Sequence, residues 1–153
     1  VARGMIRNTL PLWMFLLILY IIYLASEVRA NPYDFQILRV IDGDTVEFEA
    51  DFLPGALKQK MSLRIYGVDT PEKGPRAKCS NENLKSLQAK LFTEQEIYGA
   101  MSIKIYIKGW DKYGGRVLGD VILDGENLST RLIRNGYARE YYGEGSKSDW
   151  CTK

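Results

Sequence analysis

Val40-Ile41-Asp42-Gly43-Asp44-Thr45-Val46 decides how this chain folds. Strand-forming residues from Phe35 to Ile41 and from Thr45 to Glu49 flank an Asp-Gly pair, the pattern of two antiparallel strands joined by a tight turn. Asp51 to Lys60 holds Pro54 and Gly55 and reads as a longer connection. Met61, Leu63 and Ile65 then alternate with Ser62, Arg64 and Tyr66, a third strand with one apolar and one polar face. From Asn81 to Tyr98 the spacing predicts an amphipathic helix with Leu84, Leu87, Leu91 and Phe92 as its apolar face and Ser80 or Asn81 as cap. Ser102 to Lys108 alternates again, with Ile103, Ile105 and Ile107 inward and Lys104, Tyr106 and Lys108 outward. Val117 to Leu123 is a fifth strand, and Asn127 to Asn135 a short helix on Leu128, Leu132 and Ile133, stopped by Gly136. Three strands, a helix, two strands and a helix predict an α+β fold. It is a five-stranded β-barrel with packed helices, in the element order of an OB-fold.

The first 30 residues stand apart from this domain, which is expected to span residues 31–153. Leu10 to Ala25 carries no charge, Arg3 and Arg7 precede it, and Val28-Arg29-Ala30 offers a site for signal peptidase. Residues 1–30 read as a cleaved signal peptide or as a membrane anchor through residues 10–25, with a buried core helix as the third reading. The first two both put the remainder outside the cytoplasm, periplasmic or secreted, with the positive flank inside.

The chain of 153 residues has 21 Lys and Arg against 19 Asp and Glu, and without residues 1–30 the count becomes 18 of each. Such a balance excludes a polycation that coats nucleic acid but not an enzyme that holds a short segment. There is no histidine, which excludes imidazole bases and, with only two cysteines, an ordinary zinc site. In an oxidising compartment Cys79 and Cys151 form an isolated disulfide pair; two free thiols are the alternative.

The chemistry concentrates in three segments. Asp44 lies in the first turn; Arg64-Ile65-Tyr66-Gly67-Val68-Asp69-Thr70-Pro71-Glu72 follows, then Asp111-Lys112-Tyr113-Gly114-Gly115-Arg116. Asp44 and Asp69 suit a hard cation that prefers oxygen donors, and two guanidinium groups suit the oxygens of a phosphodiester. Glu72 is the candidate general base, since without histidine a carboxylate is the ordinary choice. Strand alternation puts Arg64 and Asp69, five apart, on opposite faces. They meet only if Gly67 bends the chain or Asp69 lies beyond the strand end.

In this order the three segments resemble the staphylococcal nuclease (thermonuclease) family, from about Phe35 to Tyr142. The resemblance implies an OB-fold and a monomeric, calcium-dependent nuclease acting on DNA and RNA with little sequence preference. It implies Ca²⁺ on Asp44 and Asp69 with the Thr70 carbonyl, Arg64 and Arg116 on the phosphate, and Glu72 as base. Lys112, Tyr113 and Tyr142 match positions that contact nucleotide, and the products would be 3′-phosphates. The chain departs from the family's Asp-Lys-Tyr-Gly-Arg by one extra glycine, which puts the reach of Arg116 in question. Two other readings stand beside it: a non-catalytic OB-fold nucleic-acid-binding module, and a membrane-tethered processing component of a DNA-transfer apparatus.

Overall fold

The computed structural model describes residues 11–26, 34–51, 53–54 and 59–152. The chain divides into two compact units, Val1–Asn31 and Pro32–Lys153. The first contains helix α1 (Leu12–Ser26), 15 residues without a charge. Among the described residues, no helix is long and apolar enough to cross a membrane. Arg3, Arg7 and the expected cleavage site at Val28-Arg29-Ala30 lie outside the described residues, as does Gly55.

The second unit opens with the hairpin β1 (Ile37–Asp42) and β2 (Thr45–Glu49), turned at Gly43 and Asp44. β2 pairs antiparallel with β3 (Lys60–Ile65), putting Thr45 opposite Arg64. The chain then turns at Tyr66 and Gly67 into β4 (Val68–Asp69) and runs through a 3₁₀ turn (Gly74–Arg76) to α2 (Ser80–Gly99). β5 (Ile103–Trp110) and β6 (Arg116–Leu123) pair antiparallel, and β6 runs parallel to β3 with Arg116 opposite Ser62. β7 (Glu126–Asn127) extends that edge of β6 and leads into α3 (Leu128–Arg134); β8 (Arg139–Glu140) pairs with β4. Val46, Phe48, Leu63, Ile65, Ile105, Val121, Leu123, Leu128 and Leu132 form the fully buried centre of the core. The residues that alternate with them present the opposite face of the sheet to solvent.

Three expectations need correction. The sheet is mixed and open rather than a closed barrel: its path runs β1-β2-β3-β6-β5, with β7 on β6, and no ladder joins β1 to β5 among the described residues. Both edge strands are broken in register, β1 between Ile37 and Arg39 and between Val40 and Asp42, β5 between Ile107 and Gly109. Such irregularities bend an edge and interrupt its ladder, and β1 packs against α2 instead.

The second correction is the face that α2 buries. Leu84, Leu87 and Leu91 are 55%, 50% and 56% exposed, while Ser86, Ala89, Thr93 and Ile97 are buried. Phe92 alone of the expected face turns inward, stacked on Tyr137 at 4.5 Å between centroids. The cause is the hairpin turn. A Cβ added to Gly43 would lie 2.8 Å from Ala89 Cβ, and Thr93 Oγ1 donates to the Gly43 carbonyl at 2.7 Å. Backbone comes so near that only small side chains fit between, and the leucines are displaced outward. The cap also moves: Cys79 occupies it, its Sγ accepting from the Glu82 N–H at 3.3 Å.

Candidate active site

The two turns meet on the buried side of Arg64. Asp44, Thr45, Asp69 and Thr70 are all at most 5% exposed. Asp44 Oδ1 accepts from the Thr45 hydroxyl at 3.0 Å, and its Oδ2 accepts from the Thr70 N–H at 3.3 Å. Arg64 Nη2 lies 3.2 Å from Asp44 Oδ2 and 3.7 Å from Asp69 Oδ1, and donates to the Val68 carbonyl at 3.4 Å. Asp69 reaches Arg64 because Gly67, at φ +80°, reverses the chain and starts a second strand beyond β3. A side chain at Gly67 would be strained at that angle.

Burial pushes the Asp44 carboxyl above its ordinary pKa; Arg64, Thr45 and Thr70 pull it back without overcoming the desolvation, and Asp69 adds repulsion. Asp69 Oδ1 is buried and accepts no directed hydrogen bond. These donors fit a hard cation: two desolvated carboxylates, one with an oxygen met by cationic side chains alone. Among the described residues no three acidic or cysteine side chains gather in a metal-holding group. Carbonyl oxygens such as that of Thr70, and water, would have to complete a coordination shell.

Glu72 has both oxygens engaged. Oε2 accepts from Arg76 Nε at 2.9 Å and Oε1 from Lys147 Nζ at 2.7 Å. Burial raises its pKa, but Lys147 and Arg76 outweigh this and leave it below the usual carboxylate range. The loop that carries Glu72 is anchored by buried Glu82, which accepts from the Glu72 and Lys78 N–H groups at 3.3 and 2.6 Å.

Arg116 opens β6. By the parallel register it shares the solvent-side face with Ser62, about two residues along from Arg64. The extra glycine is absorbed in the turn, where Gly114 and Gly115 both take positive φ (+68° and +72°) and the Asp111 N–H still bonds the Arg116 carbonyl at 3.0 Å. Arg116 Nε is bound to buried Asp111 Oδ2. Burial alone would raise the Asp111 carboxyl, yet Arg116, helped by the more distant charge of Arg64, holds it below its usual value.

A cleft of about 990 Å³ joins these groups, lined by Asp44, Arg64, Thr70, Glu72, Arg116 and Lys147. Lys112, Tyr113 and Tyr142 stand at its edge, with Tyr113 and Tyr142 77% and 63% exposed. Lys112 Nζ donates to the Gly143 carbonyl at 3.2 Å and lies over the Tyr113 ring, and Tyr142 meets Tyr66 edge-on at 5.6 Å. The Lys104 face of β5 belongs elsewhere, except that Lys108 sits over Tyr66 and pairs with Asp120.

A disulfide joins Cys79 to Cys151 and brings the C-terminal tail onto the acid cluster. Lys147 Nζ lies 2.9 Å from Asp69 Oδ1, besides its bond to Glu72, and Trp150 Nε1 points at Asp69 Oδ2 from 3.5 Å. Trp150 is itself buried, under the Arg139 guanidinium and with its carbonyl bonded by Lys85. The sequence alone assigned no role to Lys147, Trp150 and Arg76, nor to Asp111 within the third segment. One signal for the first two was available: Cys79 follows Glu72 by seven residues, so any bond from Cys79 to Cys151 drags residues 147–150 toward Glu72.

Residues 62–151 match the family described as staphylococcal nuclease homologue. The chain belongs to this family. That span includes Arg64, Asp69, Glu72, Arg116 and the whole tail to Cys151, though not Asp44. Endonuclease YhcR of Bacillus subtilis (strain 168) is 32% identical over 124 residues, covering 77% of this chain and 10% of its own length. The thermonuclease of Staphylococcus hyicus is 30% identical over 115 residues, covering 75% of this chain and 63% of its own. The chain thus spans about a tenth of the first relative and less than two thirds of the second.

Proposed function

We propose that this protein is an exported, calcium-dependent nuclease that hydrolyses phosphodiester bonds in DNA and RNA with low sequence preference. The observation that carries the reading is Arg64, wedged between two buried aspartates at 3.2 and 3.7 Å in a cleft that also holds Glu72 and Arg116. Membership of the nuclease family and relatives named endonuclease and thermonuclease support it. The apolar N-terminal helix and the disulfide support export.

Asp44 and Asp69 would hold the cation with the Thr70 carbonyl. Bound there, it supplies Lewis-acid polarisation of a phosphoryl oxygen. The remaining work falls to the chain. The place of the Arg64 guanidinium is fixed by Asp44, Asp69 and the Val68 carbonyl. Arg116, oriented through Nε by Asp111, presents its two Nη groups for the planar, paired hydrogen bonds that phosphate accepts. Both interactions strengthen as charge gathers on the phosphoryl oxygens, so they act on turnover more than on ground-state binding. Glu72 takes a proton from water once Lys147 has left its Oε1. Tyr113 and Tyr142, exposed at the rim, offer rings on which a base can stack without regard to sequence.

Incubating the purified protein with single-stranded DNA and with RNA, in Ca²⁺ and in excess EDTA, tests the reading. Cleavage of both in Ca²⁺ and of neither in EDTA is expected. Full activity in EDTA would refute the cation assignment, and binding without cleavage would favour a non-catalytic module.

A further inference from the structure

We infer that Lys147 competes with the divalent cation for Asp69, so that binding the ion there and freeing Glu72 are a single event. The inference rests on the cation site proposed above and adds a residue to it that lies outside the three sequence segments.

One ammonium group touches both acids. Lys147 Nζ is 2.9 Å from Asp69 Oδ1 and 2.7 Å from Glu72 Oε1. Asp69 Oδ1 is buried and, among the described residues, otherwise pairs with Arg64 alone, at 3.7 Å. The Lys147 contact there is an ion pair at hydrogen-bonding distance. An ion of charge +2 seated on that oxygen would face a +1 ammonium within a few ångströms, a repulsion that partial burial leaves poorly screened. Lys147 is 39% exposed at its side chain and has open solvent into which to withdraw. When it goes, Glu72 loses the partner on Oε1 and keeps only Arg76 on Oε2. The carboxylate then has an oxygen available to water.

The tail is built to hold the lysine there. Cys151 is bonded to Cys79, at the head of α2, and Trp150 is buried with its indole N–H toward Asp69. The Arg139 guanidinium holds the Asp149 carbonyl at 3.2 Å, and Asp149 in turn accepts from the Cys151 N–H at 2.9 Å. Three residues separate Lys147 from the disulfide, so the ammonium stays within reach of both acids after it swings out. Lys147 is a positioning residue in this scheme: it sets the cation affinity of Asp69 and the availability of Glu72.

Calorimetric titration with Ca²⁺ alone, without nucleic acid, tests the scheme on the full chain. Lys147→Met should bind Ca²⁺ at least ~10-fold more tightly than wild type, the effect of removing one unit charge beside the ion. Lys147→Arg, which keeps the charge, should bind as wild type does. Thermal melts verify that each variant is folded. In wild type, acetylation of Lys147 followed by mass spectrometry should be slow without Ca²⁺ and fast with it. Equal Ca²⁺ affinity in wild type and Lys147→Met, or acetylation unaffected by Ca²⁺, would overturn the inference and leave the cation site standing. No Ca²⁺ binding by either protein would remove the cation site and this inference together.

Discussion

Gly43→Ala is the smallest change that tests how the fold builds the site. Gly43 precedes Asp44 in the hairpin turn, and a methyl group there would lie 2.8 Å from Ala89 Cβ and 3.1 Å from Thr70 Cγ2. Carbon atoms in good contact sit about 3.5–4.0 Å apart, so turn and helix α2 must separate by roughly 0.7 Å. Overpacking of this kind costs ~1–3 kcal/mol, and each kcal/mol lowers Tm by roughly 4 °C in a domain of this size. The separation also stretches the Thr93 bond to the Gly43 carbonyl and shifts Asp44 against the Thr70 N–H, both contacts of the same turn. Activity should therefore fall further than stability when assayed well below Tm.

Ala89→Gly removes the opposing methyl group at the cost of a glycine inside a helix, ~1 kcal/mol. Combined with Gly43→Ala it should recover much of the loss, giving a coupling of about 1 kcal/mol or more in a double-mutant cycle read by urea denaturation. Independent sites add within ~0.5 kcal/mol. An additive cycle, or a Gly43→Ala protein as stable as wild type, would refute the account of why α2 buries its small residues.

Arg64→Ala, Arg116→Ala and Glu72→Gln should each lower kcat by ~10²-fold or more with the melting curve little changed for Arg116 and Glu72; an Arg116→Ala enzyme as fast as wild type would move the second clamp elsewhere, with Lys112 next to be tested. Reducing the disulfide, which closes a separation of 72 residues, should cost about 4 kcal/mol by chain entropy, and an unchanged Tm in reductant would count against the tail being held through it. Leu87→Gln and Leu91→Gln should change stability by no more than ~0.5 kcal/mol, as exposed positions do, whereas a loss of 2 kcal/mol or more would return the leucines to the core.

Those leucines mark where the sequence stopped being legible. The alternation in Met61, Leu63 and Ile65, and in Ile103, Ile105 and Ile107, led directly to β3 and β5, because a strand with one face on the core writes its burial into a period of two. Helical spacing in α2 was read equally correctly as helix, but it named the wrong face. Periodicity reports where apolar residues lie around the axis, and close approach of another backbone is a separate demand, met by Ala89 and Thr93. β4 and β8, two residues each, left no pattern at all: what makes them strands is a pairing of Val68 and Asp69 with Glu140 and Arg139 across 70 residues of chain.

The acids and arginines were legible because their chemistry is rare in combination; what holds them in place was not. Asp111 orients Arg116, Glu82 anchors the loop of Glu72, and Trp150 and Lys147 close over Asp69. Each is an ordinary residue whose role comes from position alone. The tail matters most among them. A carboxylate pair as buried as Asp44 and Asp69 demands positive charge whether or not a cation is bound. Arg64 supplies one unit permanently, and Lys147 supplies a second that is able to leave. A second charge fixed among buried partners as that of Arg64 is would stabilise the pair equally well and bar the site to any ion. A lysine on a tethered, half-exposed tail keeps the unloaded site neutralised and still gives way.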